Sequence, residues 1–258
     1  MISYLITVCN EAEELNRLLN SLVFTSDSDE VVVVFDSTKI TSEVELVLKS
    51  YQDKCNNSED LFRCPSSFRY SGYVFNGDFA AFKNFGSSLC KNDWIFQVDA
   101  DEFISEDLME YLLDIIESNS EDLELLYIPR LNTVEGITQA HVETWRWKIS
   151  SDDMIQDHTQ LSRDSEYYKL LKNYNLIVHE NDFEGGASIV YKKPLINFPD
   201  YQSRIYKNKP SIQWEGKVHE TVKGANYVGR LPMLKEYCLH HPKTIEKQEL
   251  QNKMYESL

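Results

Sequence analysis

Apolar and polar positions alternate along the first 130 residues in two recognisable periods. "ISYLITVC" at 2 to 9 and "EVVVVFD" at 30 to 36 are near-continuous apolar runs, the pattern of strands buried on both faces. Between them Leu15, Leu18, Leu19 and Leu22 recur at helical spacing, with Asn10 as the expected N-cap. Val44, Val47, Leu48 and Tyr51 predict a second helix, and "LFRC" at 61 to 64 a short strand. Asp78 is placed to cap a helix carrying Phe79, Phe82, Phe85 and Leu89. "WIFQV" at 94 to 98 is another strand. Ser105 is placed to cap a helix with Leu108, Tyr111, Leu112, Ile115 and Ile116 facing inward, and "LELLYIP" at 123 to 129 closes the series.

Strands alternating with helices predict an α/β fold with a mostly parallel sheet. Ligands of such sheets bind beyond the carboxyl ends of the strands. Three polar clusters fall at those ends: Cys9-Asn10-Glu11, Asp36-Ser37-Thr38 and Asp99-Ala100-Asp101-Glu102. After about residue 130 the texture changes. "TWRW" at 144 to 147 and "YQSRIY" at 201 to 206 predict shorter, antiparallel strands. Residues 150 to 190 are polar and acidic, as expected of an inserted lobe or lid, and the tail from Pro242 reads as a polar helix.

Composition narrows the function. The 258 residues are 42% hydrophobic and 12% aromatic, enough for a packed core. Lys and Arg number 26 against 42 Asp and Glu, a formal net charge of -16 that argues against a general nucleic-acid binder. The five cysteines form no C-x-x-C pair and are expected to be mostly buried thiols in a cytoplasmic protein. The first residues lack a basic n-region, and no apolar stretch reaches membrane-spanning length. A soluble intracellular protein is expected, with peripheral membrane contact left open.

"WIFQVDADEF" then poses a physical question. Three carboxylates within four positions repel one another unless something positive lies nearby. A divalent cation, shared with a nucleotide diphosphate, is one answer, because hard cations take oxygen ligands. A solvated acidic turn is the other. The order of the surrounding motifs favours the first. "TVCNEAEEL", "VVVVFDS", "FAAFKNFG", "DWIFQVDADEF", "FPDYQSRIYKN", "WEGKVHE" and "LHHPKTIEKQ" together resemble the family 2 glycosyltransferases of the GT-A fold. The later motifs resemble one branch of it, with lipopolysaccharide-core-type enzymes and enzymes of T4-like phages. The resemblance covers most of the chain outside residues 150 to 190.

That resemblance implies a GT-A (Rossmann-like) sheet flanked by helices, with a C-terminal antiparallel acceptor-side region. Residues 1 to 130 would bind the nucleotide sugar, 131 to 241 would form the acceptor side, and 242 to 258 would be a terminal helix. The activity implied is inverting, metal-dependent transfer of a sugar from a nucleotide-diphosphate donor, UDP favoured, to an acceptor hydroxyl. Thr7, Cys9 and Glu11 would line the nucleotide pocket and Asp36 would hydrogen-bond the base. Cys9 stands where the family has an aromatic residue. Lys83 and Asn84 match the family's Arg-Asn pair near the nucleotide, the Lys keeping the charge but not the bidentate fork. Asp99 would reach the ribose or the metal's water shell, and Asp101 would ligate Mn²⁺ or Mg²⁺ with His240 or His241. Arg204 would either neutralise the diphosphate or form a structural salt bridge. Glu220 would be the catalytic base, ahead of Glu215, with His219 structural or touching the acceptor. Trp145, Trp147 and Trp214 would either stack on an acceptor sugar or pack internally.

A sugar nucleotidyltransferase is disfavoured, because "CNEAEE" stands where its Gly-rich loop would follow the first strand. A non-catalytic carbohydrate- or partner-binding protein on the same fold is the rival reading. The acceptor expected is a glycan or, as the phage-like resemblance implies, a hydroxymethylated base in phage DNA, against which the acidic balance weighs. Lys169, Lys172, Lys192 and Lys193 would supply the basic patch that DNA requires.

Overall fold

The structure, a computed structural model, describes residues 1 to 24, 26 to 58, 63 to 118 and 122 to 256. In chain order the elements are β1 (Ile2–Val8), α1 (Ala12–Ser21), β2 (Glu30–Asp36), α2 (Ser42–Asn57), β3 (Ser67–Tyr73), α3 (Phe79–Leu89), β4 (Trp94–Asp99), α4 (Glu106–Ser118), β5 (Leu125–Glu135) and α5 (Gln139–Thr144). There follow β6 (Ile149–Ser150), β7 (Gln156–Leu161), α6 (Glu166–Asn173), β8 (Ile177–Phe183), β9 (Gly186–Lys192) and β10 (Leu195–Ile196). The last are β11 (Asp200–Lys207), β12 (Gln213–Glu215), β13 (Thr221–Lys223), β14 (Val228–Arg230), β15 (Leu239–Thr244) and α7 (Ile245–Glu256).

The chain divides into two compact units. The first is Met1–Pro129 with Tyr201–Leu239, and the second is Arg130–Asp200 with the segment that begins at His240. The main sheet runs β14-β5-β11-β4-β1-β2-β3, with β15 pairing β5. β1 pairs in parallel with β2 and β4, β2 with β3, and β5 with β14, while β11 is antiparallel to β4. The expected mostly parallel sheet, flanked by helices, is therefore present.

Strand periodicity sorts its residues onto two faces. Tyr4, Ile6, Val31, Val33, Phe96 and Val98 pack on one side with Leu15, Leu18 and Leu19 of α1, Val44 and Leu48 of α2, and Leu108 and Leu112 of α4. Leu5, Val32, Val34 and Ile95 pack on the other with Phe82 of α3, Tyr206 and Trp214. Gly86 lets α3 approach the sheet, since a Cβ there would lie 2.6 Å from Leu5 Cδ1. Asp78 and Ser105 cap as expected, accepting from the backbone N–H of Ala81 (2.9 Å) and Leu108 (3.1 Å).

Local expectations fail in several places. Glu11, not Asn10, occupies the cap position of α1, and its side chain instead accepts from the N–H groups of Cys9 and Asn10. Tyr111 is 49% exposed, and Met109 takes an inward position in its stead. Leu61 and Phe62 of the "LFRC" strand lie outside the described residues, Arg63 and Cys64 are not in a strand, and β3 begins at Ser67. "TWRW" is no strand. Thr144 ends α5, which Thr138 caps, and Arg146 turns the chain with φ 54°. The terminal helix starts at Ile245, because β15 continues through Pro242 to Thr244.

The second unit holds the antiparallel sheet β7-β9-β8, with α5, α6 and a core of Val134, Leu170, Leu171, Ile189 and Ile196. No helix among the described residues is long and apolar enough to cross a membrane.

Candidate active site

The acidic turn after β4 answers its own charge problem. Arg204, on β11, is 2% exposed. Its Nη2 donates to Asp99 Oδ2 and to Glu102 Oε1, both at 2.7 Å, and its Nη1 donates to Gln97 Oε1. Glu102 also accepts from the Asp99 N–H at 3.1 Å. Two of the three carboxylates thus face a cation supplied by the chain itself. Arg204 makes the salt bridge that was one of its two expected roles. Buried Glu102 and Gln97 complete that bridge. From the sequence Glu102 counted among the carboxylates of the turn without a role, and Gln97 was passed over, its interruption of an apolar strand being the available signal.

Asp99 is held at both carboxylate oxygens. Thr7 Oγ1 donates to its Oδ1 at 2.7 Å and Gln97 Nε2 at 2.9 Å, and Lys83 Nζ lies 3.4 Å from the same oxygen. Burial pushes its pKa up, but Arg204, Lys83 and the two hydrogen bonds outweigh it and hold the carboxyl well below its usual value. Desolvation likewise disfavours the Arg204 charge, and Asp99 and Glu102 more than restore it.

Lys83 joins this turn to the hairpin of β12 and β13. Its ammonium lies 2.7 Å from Glu220 Oε1 and 4.6 Å from the centre of the Trp214 ring. Neighbouring Asn84 donates to the Trp214 carbonyl and accepts from the Trp214 N–H, both at 2.9 Å. Trp214 is buried, and its indole N–H donates to Tyr206 Oη at 2.9 Å. Of the two roles expected of Trp214, internal packing is the one observed. The hairpin loop turns through Gly216 (φ 100°) and His219 (φ 58°), leaving His219 exposed and Glu220 half-buried. Glu215 is exposed and pairs with Thr221.

The other expected nucleotide residues sit at neighbouring strand ends. Parallel register places Thr7 beside Asp99 and Val34. Asp36 Oδ1 accepts from the Thr38 N–H (2.9 Å) and hydroxyl (2.7 Å), closing the turn after β2. Cys9 is half-buried. Burial, with Glu11 and Asp36 nearby, pushes its thiol up to about 11. All five cysteines are free thiols.

Metal fit is partial. Asp99 is a poor ligand, because both its oxygens already serve Arg204, Lys83, Thr7 and Gln97. Asp101 is half-buried in the turn and keeps the oxygen chemistry of a hard-cation ligand. Among the described residues no three His, Cys, Asp or Glu side chains are grouped to hold an ion. In the second unit His241 is 8% exposed, and its Nδ1 is 2.7 Å from Asn132 Oδ1. Asn132 donates to Asp200 (2.8 Å), which Arg130 also grips (2.7 Å). His240 beside it is half-buried.

The expected basic patch is largely neutralised. Lys169 pairs with Glu166 at 2.7 Å, Lys192 with Asp153, and Lys193 with Asp157 at 2.9 Å, while Lys172 lies over the Tyr168 ring.

Known proteins are similar to this chain in sequence and in fold. The model of the family described as "Glycosyl transferase family 2" matches residues 3–176, more than half of the chain. The chain belongs to glycosyl transferase family 2. Relatives in Rickettsia, both named uncharacterized glycosyltransferase, are similar over 126 residues. That of R. bellii is 32% identical, the match covering 49% of this chain and 36% of the relative; that of R. felis is 34% identical, covering 49% and 38%. The match thus spans little more than a third of these relatives. Among solved structures, S. aureus TarS 1-349 has a TM-score of 0.51 at 16% identity, covering 93% of this chain and 60% of that one. Its complex with UDP has a TM-score of 0.50 at 15% identity, with the same coverage. At that identity the likeness shows the family's fold, a GT-A sheet.

Proposed function

We propose that this family 2 chain transfers a sugar, with inversion, from a UDP-sugar to a hydroxyl of a glycan acceptor. One observation carries the reading. Asp99, Lys83 and Glu220 come from three separate segments of the first unit and meet at the carboxyl end of β4. That is where a parallel α/β sheet takes its ligands. The UDP complex of a protein with the same fold supports the nucleotide. The paired lysines of the second unit and the net charge of -16 favour a glycan over DNA.

In this reading Thr7, Cys9, Glu11 and Asp36 face the nucleoside. Asp99, held rigid by Arg204, Thr7 and Gln97, orients toward the ribose, while Asn84 fixes β12. Glu220 takes the proton of the acceptor hydroxyl, with exposed His219 beside it on the acceptor side. The freed oxygen attacks the anomeric carbon opposite the diphosphate. The bond to the diphosphate breaks, and its electron pair leaves with UDP. Asp101 is the ligand proposed here for Mn²⁺ or Mg²⁺, which when bound neutralises the leaving diphosphate.

Calorimetric titration of UDP, GDP and dTDP, with Mn²⁺ and then with EDTA, tests the donor site. UDP is expected to bind tightest, and absence of binding by the folded protein would return the rival binding-protein reading. Glu220→Gln is expected to lower UDP release from a UDP-sugar, with water or sugar as acceptor, by about 10²–10⁴-fold at unchanged UDP affinity. Near-normal release places the base elsewhere.

A further inference from the structure

We propose that Lys83 is the positioning residue of Glu220, acting on the acceptor side of the reaction rather than on the donor's phosphates. The inference rests on Glu220 being the base. Its ground is the enclosure of Lys83, which is 3% exposed although it belongs to a helix. An ammonium has three N–H donors and no acceptor. Here Glu220 Oε1 lies at 2.7 Å, Asp99 Oδ1 at 3.4 Å and the Trp214 ring face at 4.6 Å. The charge is turned toward the protein's own carboxylates and an aromatic face.

The rest of α3 serves the same end. Asn84, next along the helix, grips both backbone groups of Trp214, one residue before Glu215 at the end of β12. Phe79 N–H, at the start of the helix, donates to the Lys217 carbonyl at 3.0 Å, inside the loop that carries Glu220. Three successive attachments therefore pin a short hairpin with two positive-φ turns onto one helix. Gly86 seats that helix against Leu5. A loop glutamate left to itself samples several rotamers. Held by Lys83, it keeps one oxygen in place and presents the other. Displacement of a reacting group by about 1 Å costs on the order of 10² in rate.

A four-variant cycle tests this: the unmodified chain, Lys83→Met, Glu220→Gln and the double variant, compared by UDP release at saturating donor and by calorimetry with UDP. Lys83→Met is expected to lower kcat by about 100-fold with UDP affinity held within about twofold, and Lys83→Arg to recover part of the loss. In the Glu220→Gln background Lys83→Met is expected to cost nothing more, because its target is already gone. The double variant also removes one charge of each sign and leaves Asp99 paired with Arg204, which preserves the fold. If Lys83→Met does not fold, Lys83→Gln gives the same comparison. Loss of UDP affinity at an unchanged kcat, or an equal further loss in the Glu220→Gln background, overturns the proposal and makes Lys83 a donor-binding residue. Normal release by Glu220→Gln instead overturns the base assignment, whatever Lys83 does.

Discussion

Arg204 and Lys83 in the first unit are sealed among carboxylates, with side chains only 3% and 4% exposed, whereas Arg163 and Lys193 in the second meet their carboxylates at 46% and 38% exposure. Both units carry ion pairs of similar length. The difference lies in what each pair can do without water. A buried pair has given up hydration, so neither partner can be removed cheaply and each fixes the other's geometry. A surface pair competes with solvent and salt and fixes little. The strands tell the same story. β1 is buried at every position, while β7 alternates exposed and half-buried residues. The first unit therefore has the low-dielectric surroundings in which a few charges can be held for chemistry, whereas Arg163 and Lys193 of the second lie on a solvated face.

The strongest way to break this contrast is Arg204→Met. It leaves Glu102 buried beside Asp99 with no guanidinium between them, and is expected to cost about 3–5 kcal/mol in urea denaturation. A loss below about 1 kcal/mol would mean that water reaches the turn and that the pair is no better than a surface one.

Acid sharpens the contrast next. The Asp99 carboxyl is held well below its ordinary value. Glu124 is pushed down to about 2, first by the Asn226 N–H and then by Lys209. Groups with depressed values stabilise the folded state fully above their unfolded values, about 4. That contribution is lost as pH falls through the folded values. Stability followed by thermal melting is therefore expected to hold from pH 7 to about 5 as far as these groups are concerned, and to fall from about pH 4 toward 2. Arg204→Met should flatten that fall, and an unchanged acid slope would show that Asp99 is not what titrates.

The smallest effect belongs to the second unit. Lys193→Ala removes a partner 2.9 Å from Asp157, and is expected to change stability by less than about 1 kcal/mol, less still in high salt. A larger, salt-independent loss would mean that this face is covered in the working protein.

Legibility followed the range of the interactions. β2 was read to the residue from "EVVVVFD", and the caps of α3 and α4 from Asp78 and Ser105, because these depend on side chains within a few positions. "TWRW" misled because its aromatic alternation suits a strand, while Thr138 had already started a helix that ends at Thr144. Asn10 is a good cap by type, but Glu11 took the nearby N–H groups. The acidic turn was recognised as needing a positive partner, yet its partner is Arg204, more than a hundred residues away in sequence.

The order of apolar runs and helical stripes by itself determined the alternating α/β pattern, the parallel sheet and the gathering of Cys9, Asp36 and Asp99 at its carboxyl edge, since periods of 2 and 3.6 residues dictate which faces must be buried. Tertiary structure alone decided which charges meet. Burial of Arg204 and Lys83 becomes tolerable only once β11 and α3 bring them against Asp99, Glu102 and Glu220, and pairing at that distance depends on the closed fold, not on any local propensity.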